Sequence, residues 1–290
     1  MGGQVERGQI LGDRYRLSEA LATDPLVHVW LAEDLELRRP VVCKLLHPRW
    51  MDDEDLVERF RFGAFAATRL DHENVARTYD VERADGAIYT VSEFIDGPDL
   101  GELLTAGPLP EEAVGAVGQQ AAAGLSAAHE RGLVHGGVCP ENLVVGPRGR
   151  LCLIDFGSVQ FEGAPDAPRG DPAELEPRIR DYWPPERLEQ GVVRTEGDVY
   201  ALGLVLWEAL TGQPAVEEPE PPGPARRLLD SLTGADDTPQ RLREILTAAV
   251  ADDPAARPSA ATLADQLVEI AGVRPHDHLA ALLDGRAGTA

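Results

Sequence analysis

The stretch His135-Gly136-Gly137-Val138-Cys139-Pro140-Glu141-Asn142-Leu143, followed after a short turn by Leu153-Ile154-Asp155-Phe156-Gly157, constrains this chain more than any other. Downstream come Gly197-Asp198-Val199-Tyr200-Ala201-Leu202-Gly203 and Asp253-Pro254-Ala255-Ala256-Arg257-Pro258. Any one of these motifs alone is weak evidence, and their fixed order is what narrows the choice of fold. At 290 residues and 31.3 kDa, the length supports two lobes with their own packed cores and leaves little for a second function.

Charge and composition exclude several classes of function. The formal charge of −23 repels phosphate backbones and anionic lipid, so no nucleic acid is expected as a partner. The longest apolar run, Tyr200 to Leu210, is too short to span a bilayer and carries Glu208, so no membrane insertion is expected. No basic and then apolar leader opens the sequence, and the expected location is cytoplasmic. Cys43, Cys139 and Cys152 are odd in number and lack metal-ligand spacing, which argues for reduced, structural thiols. Lys44 is the only lysine, the other basic residues being arginines.

The order of the motifs resembles that of the bacterial, eukaryotic-like (Hanks-type) Ser/Thr protein kinases, over roughly Arg14 to Ala271. His135 to Leu143 stands for the catalytic loop H-R-D-L-K-P-E-N-L, and Asp155-Phe156-Gly157 for the metal-binding D-F-G. The resemblance implies an α+β, bilobal kinase-like fold: a five-stranded antiparallel small lobe with one helix over residues 14–96, and a mainly helical large lobe over 97–271. Residues 272–290 are read as a short C-terminal tail.

The resemblance also identifies what is missing. Asn142 and Asp155 match the positions that hold Mg²⁺, but Gly136 replaces the arginine, Gly137 the base aspartate and Cys139 the lysine that attends the transferred phosphoryl. The glycines of the phosphate-covering turn fall on Ala22, Asp24 and Val27. Lys44, in Val41-Val42-Cys43-Lys44, matches the lysine that pairs with the α and β phosphates, while Val42 crowds the adenine position. The glutamate that latches this lysine from the regulatory helix, read over Asp52 to Leu70, is replaced by Gly63. Glu93 and Ile95 belong to the hinge whose backbone meets adenine.

Strands are predicted at Tyr15 to Leu21, Val27 to Ala32, Pro40 to Leu46, Ala76 to Val81 and Ile88 to Phe94, with the residues before Arg14 frayed. Helices follow at Leu100 to Leu104, Glu111 to Arg131, Ala225 to Leu232, Gln240 to Ala251 and Ala260 to Ile270. Ser158 to Asp181 matches an activation loop in which Ser158 is the only Ser or Thr. The scaffold motifs are intact: Asp198 matches the aspartate that ties down the catalytic-loop backbone, and Arg257 the arginine that pairs with Glu186.

Removing the general base costs on the order of 10²- to 10⁴-fold in rate, and removing a cation at the phosphoryl roughly 10²- to 10³-fold more. The expected function is therefore that of a pseudokinase, a cytoplasmic scaffold that binds an as yet unidentified protein partner. No catalytic residue is assigned, and no cofactor is required. Any binding of ATP through Lys44, Glu93, Ile95, Asn142 and Asp155, with Mg²⁺ on Asn142 and Asp155, is expected to be weak. Lys44 has a second reading, as the neutralising partner of Asp155 across an empty cleft. The alternative function is a low-activity Ser/Thr kinase, with Asp171 or Glu174 swinging in as base.

Overall fold

The computed structural model describes residues 5–23, 26–156, 160–161, 177–214 and 240–287. The activation-loop residues Ser158, Asp171 and Glu174, the turn residue Asp24 and the helix expected over Ala225 to Leu232 lie outside them.

The small lobe is one antiparallel sheet in the order β1-β2-β3-β4-β6-β5. Its strands are β1 (Ile10–Leu11), β2 (Tyr15–Thr23), β3 (Val27–Asp34), β4 (Arg39–Leu46), β5 (Thr78–Ala84) and β6 (Ala87–Glu93). Side chains alternate between its two faces. Leu17, Val41, Cys43, Tyr89 and Val91 pack on one. Val27, Leu46 and Ile88 pack on the other, beneath Leu56, Val57 and Phe60 of α1 (Glu54–Ala67). The Asp53 side chain accepts from the Leu56 amide at 3.0 Å, and Glu54 and Asp55 occupy the first turn, which suits the positive end of the helix.

The five expected strands are present, and a sixth corrects the reading of the residues before Arg14 as frayed. β1 pairs Ile10 with Arg16 and Leu11 with Tyr15. Leu11 is fully buried, and Gly8 and Gln9 exchange backbone hydrogen bonds with Leu17 at 2.8 and 2.9 Å. Burial of one leucine fixes a segment whose glycines suggested freedom.

The large lobe begins with α2 (Leu100–Leu104) and α3 (Glu111–His129), continues through β7 (Leu133–Val134), β8 (Leu143–Val145), β9 (Leu151–Leu153) and β10 (Gln160–Phe161), and returns to helices. These are α4 (Pro177–Asp181), α5 (Pro185–Gln190), α6 (Thr195–Thr211), α7 (Gln240–Ala249), α8 (Ala260–Ala271) and α9 (Pro275–Ala287). α6 is buried on all sides from Asp198 to Ala209, as an apolar helix at the centre of a core must be. Asn74 ties the lobes together: its buried amide donates to Gln120 Oε1 at 3.0 Å and to the Leu151 carbonyl at 2.8 Å.

The residues beyond Arg274, silent as sequence, form α9 against α3 and the Pro147 to Gly149 turn, with Leu279 fully buried. Gly149 makes this approach possible. Its φ is +75°, and a Cβ there would lie 1.9 Å from the His276 carbonyl oxygen.

The late scaffold is pinned by the expected ion pair. Arg257 Nη1 and Nη2 reach Glu186 Oε1 and Oε2 at 2.6 and 3.0 Å, and Arg257 Nε donates to the Ala251 carbonyl at 2.8 Å. The Arg257 side chain has no exposed surface. Removing one partner strands the other charge in the interior, so Arg257→Ala should lower stability by about 3 to 5 kcal/mol. Urea unfolding of the variant beside the parent checks this, and an unchanged midpoint would mean that the pair carries no stability.

Candidate functional site

The catalytic-loop segment is held from below by one carboxylate. Asp198, in the first turn of α6, accepts from the backbone amides of His135 and Gly136, each at 2.8 Å, and from His129 Nε2 at 2.8 Å. Burial pushes the Asp198 carboxyl up, yet the His129 hydrogen bond and the charges and amides around it bring the net shift below the usual carboxylate range. The anion is thus the stable form, although only 2% of the residue is exposed.

His135 is the next link. Its Nδ1 accepts from the Gly137 amide at 3.2 Å and its Nε2 faces the Ile154 carbonyl at 2.9 Å, which together fix the neutral, Nε2-protonated ring. Phe156 stands edge-on to this ring at 4.6 Å and is buried. Asp155 between them has φ +69°, a left-handed backbone that few non-glycine residues adopt.

Of the residues expected to form a site, the structure pairs Lys44 with Asp155. Lys44 Nζ lies 2.6 Å from Asp155 Oδ1, with side chains 13% and 29% exposed. This is the contact expected once Gly63 removes the helix glutamate. Asn142 Nδ2 donates to the Gly137 carbonyl at 2.8 Å, and the Asn142 backbone carbonyl accepts from the Ile154 amide at 3.0 Å. Asn142 Oδ1 and the Asp155 carboxylate are hard oxygen donors of the kind Mg²⁺ prefers.

The hinge residues are placed differently. Ile95 is buried against Ala76, Val144 and Cys152. The Glu93 carboxylate is engaged by Arg150 Nη2 at 2.6 Å and by the Arg77 amide at 3.2 Å, and the Glu93 amide donates to the Arg77 carbonyl. Val42 is paired between Leu31 and Ser92 in the sheet.

Three loop positions depart from the motif of the family, and their surroundings differ. At Gly137 a Cβ would lie 3.8 Å from Asn142 Nδ2 and His135 Nδ1, ordinary contact distance, so the position does not require glycine. At Cys139 the thiol is 1% exposed, and burial, with Glu141 adding to it, pushes its pKa far up, so a neutral group stands where a cation would attend a phosphoryl. At Gly136 the carbonyl accepts from Arg187 Nη1 at 2.6 Å. Arg187 and His129 were not found by sequence reasoning. No local motif marks either of them.

Fold and site together define a kinase-like domain, and comparison with known proteins supports this. A profile of the protein kinase domain matches residues 28–268, and the chain belongs to the protein kinase family. Serine/threonine-protein kinase PrkC of Bacillus subtilis is 30% identical over 254 residues, which are 85% of this chain and 39% of PrkC. Serine/threonine-protein kinase PknL of Mycobacterium tuberculosis is 32% identical over 254 residues, 86% of this chain and 63% of PknL. The chain thus spans less than two thirds of either relative. The crystal structure of the M. tuberculosis PknI kinase domain matches with a TM-score of 0.70 at 26% identity, covering 93% of this chain and 100% of that one. Among the described residues no helix is long and apolar enough to cross a membrane.

The neutral ring of His135 sets a pH dependence. Burial lowers its pKa below the usual value, with Asp198 opposing. An unfolded histidine titrates near about 6.5, so on acidification the unfolded chain binds the proton first. The stability that comes from the neutral ring is therefore present above about pH 6.5 and lost as pH falls below it. Asp198, with its lowered pKa, gives up its own contribution only in stronger acid. A thermal midpoint that declines from about pH 6.5 to 5 is expected, with a shallower decline in His135→Gln. An equally steep decline in that variant would locate the effect elsewhere.

Proposed function

We propose that this chain is a pseudokinase: a kinase fold retained as a cytoplasmic scaffold that binds a protein partner, with nucleotide a weak ligand and phosphoryl transfer absent. The observation that carries the reading is the Lys44–Asp155 pair at 2.6 Å beside Gly137 and Cys139. The two charges that would meet phosphate and metal are engaged with each other, and the positions of base and phosphoryl-attending cation hold no ionised side chain. A charge-assisted hydrogen bond is worth about 1.5 to 3 kcal/mol. A nucleotide that must displace it therefore binds roughly 10- to 100-fold more weakly than it would to a preformed site.

When Mg²⁺ and ATP are bound, the residues that would hold them are Asn142 and Asp155 for the metal, Lys44 for the phosphates, and the backbone of Glu93 and Ile95 for the adenine. The metal would neutralise charge on the phosphates. The chain's own oxygen donors fit that task, which is why nucleotide stays in the reading as a ligand. A cytoplasmic setting is supported by three free, buried cysteines. The net charge of −23 opposes nucleic acid as the partner. The second reading, a slow Ser/Thr kinase, draws on the retained Lys44, Asn142 and Asp155 and on the names of the relatives.

A thermal-shift titration with ATP, with and without Mg²⁺, tests the reading, because a ligand that binds only the folded form raises the midpoint. No shift is expected at micromolar ATP and a small, metal-dependent one at millimolar. Lys44→Ala should lower the midpoint of the ligand-free protein, because it removes the Lys44–Asp155 pair. A rise of several degrees at micromolar ATP, lost in both Lys44→Ala and Asp155→Asn, would overturn the reading and make the domain a nucleotide-gated module.

A further inference from the structure

The peptides around Gly136 are anchored one by one. The amides of His135 and Gly136 donate to Asp198, and the Gly137 carbonyl accepts from Asn142. The peptide between Gly136 and Gly137 has its N–H on His135 Nδ1 and its carbonyl on Arg187 Nη1, the latter at 2.6 Å. Arg187 thus donates a charge-assisted hydrogen bond to this loop, and it comes from α5, after the activation segment. Its guanidinium lies 3.7 Å from the centre of the Trp183 ring, a stack that fixes its plane, and only 4% of the residue is exposed.

Gly136 has lost the loop's own arginine, and its backbone is left-handed at φ +67°. The cavity between Gly136, Trp183, Arg187, Val193 and Asp198 is about 10 Å³. That is barely the room a water molecule needs, and far too little for a phosphate group. A guanidinium stacked on an indole and bonded to a buried carbonyl in such a space is a fixed strut. It differs in kind from an exposed arginine that becomes engaged when a nearby residue is phosphorylated.

We propose that Arg187 is a positioning residue that replaces the missing arginine from outside the loop. It fixes the backbone from His135 to Val138 permanently, so that the order of this loop does not depend on phosphorylation. The inference holds whether or not the cleft binds nucleotide.

Hydrogen exchange on the full chain tests it. In Arg187→Met the amides from Val134 to Val138 should exchange about ten-fold faster or more, as expected for loss of one charge-assisted hydrogen bond. Those of α8 and of β4 to β6 should be unchanged. Arg187→Lys, which keeps a cation, should stay within about three-fold of the parent. Phosphatase treatment should leave the parent's loop exchange unaltered. Should Arg187→Met fail to fold, Trp183→Leu removes the stack and keeps the charge, and a smaller acceleration confined to the same amides is expected. Unchanged loop exchange in the folded variant, loss of protection spread evenly over the large lobe, or loop protection that vanishes on dephosphorylation would each overturn the proposal.

Discussion

A single buried carboxylate organises the centre of this protein. Asp198 sits where α6 begins, and its two oxygens take the amides of His135 and Gly136 and the ring of His129. Through His135 the same anchor reaches Gly137, Ile154 and Phe156. The left-handed backbone at Asp155 and Gly136 persists because the groups around it are held by these contacts. An unpaired carboxylate at this depth would be strongly destabilising. The loop that satisfies it is therefore part of the fold, whatever chemistry its side chains retain.

That distinction explains how the frame can persist where loop side chains depart from the family motif. The contacts that keep the loop in place are mostly made by backbone groups, to Asp198, Arg187 and Asn142, and these survive substitution at Gly137 and Cys139. A Cβ at Gly137 would meet Asn142 and His135 at ordinary contact distance, so packing does not demand glycine there. Cys139, by contrast, is buried in the large-lobe core, where a neutral thiol is compatible with packing and a lysine ammonium would be costly. The cleft charges that remain are compensated internally, Lys44 by Asp155.

How much of this could be read from the chain follows from what kind of signal each feature leaves. The bilobal fold, the Glu186–Arg257 pair and the tie from Asp198 rest on local motifs whose residues are all present. The Lys44–Asp155 contact was legible by elimination, since Gly63 removes the competing carboxylate and the chain has no other lysine. Other features left no local trace. β1 is fixed by burial of Leu11 and by pairing with β2, and nothing in a glycine-rich leader announces either. α9 has weak amphipathic character, and it docks because Gly149 lets two backbones meet. Arg187 acts on a carbonyl 51 residues earlier in the sequence, a relation that periodicity and motif spacing cannot reveal.

The most direct test of a frame kept without its chemistry is phosphoryl transfer itself, measured with labelled ATP on the purified chain, with Mg²⁺ or Mn²⁺ and a generic protein substrate. The account predicts no label on the chain or on the substrate, because neither Gly137 nor Cys139 can take the proton or stabilise the transferring group. Robust transfer that disappears in Asp155→Ala would contradict it, since Asp155 can matter to turnover only where another residue completes the site.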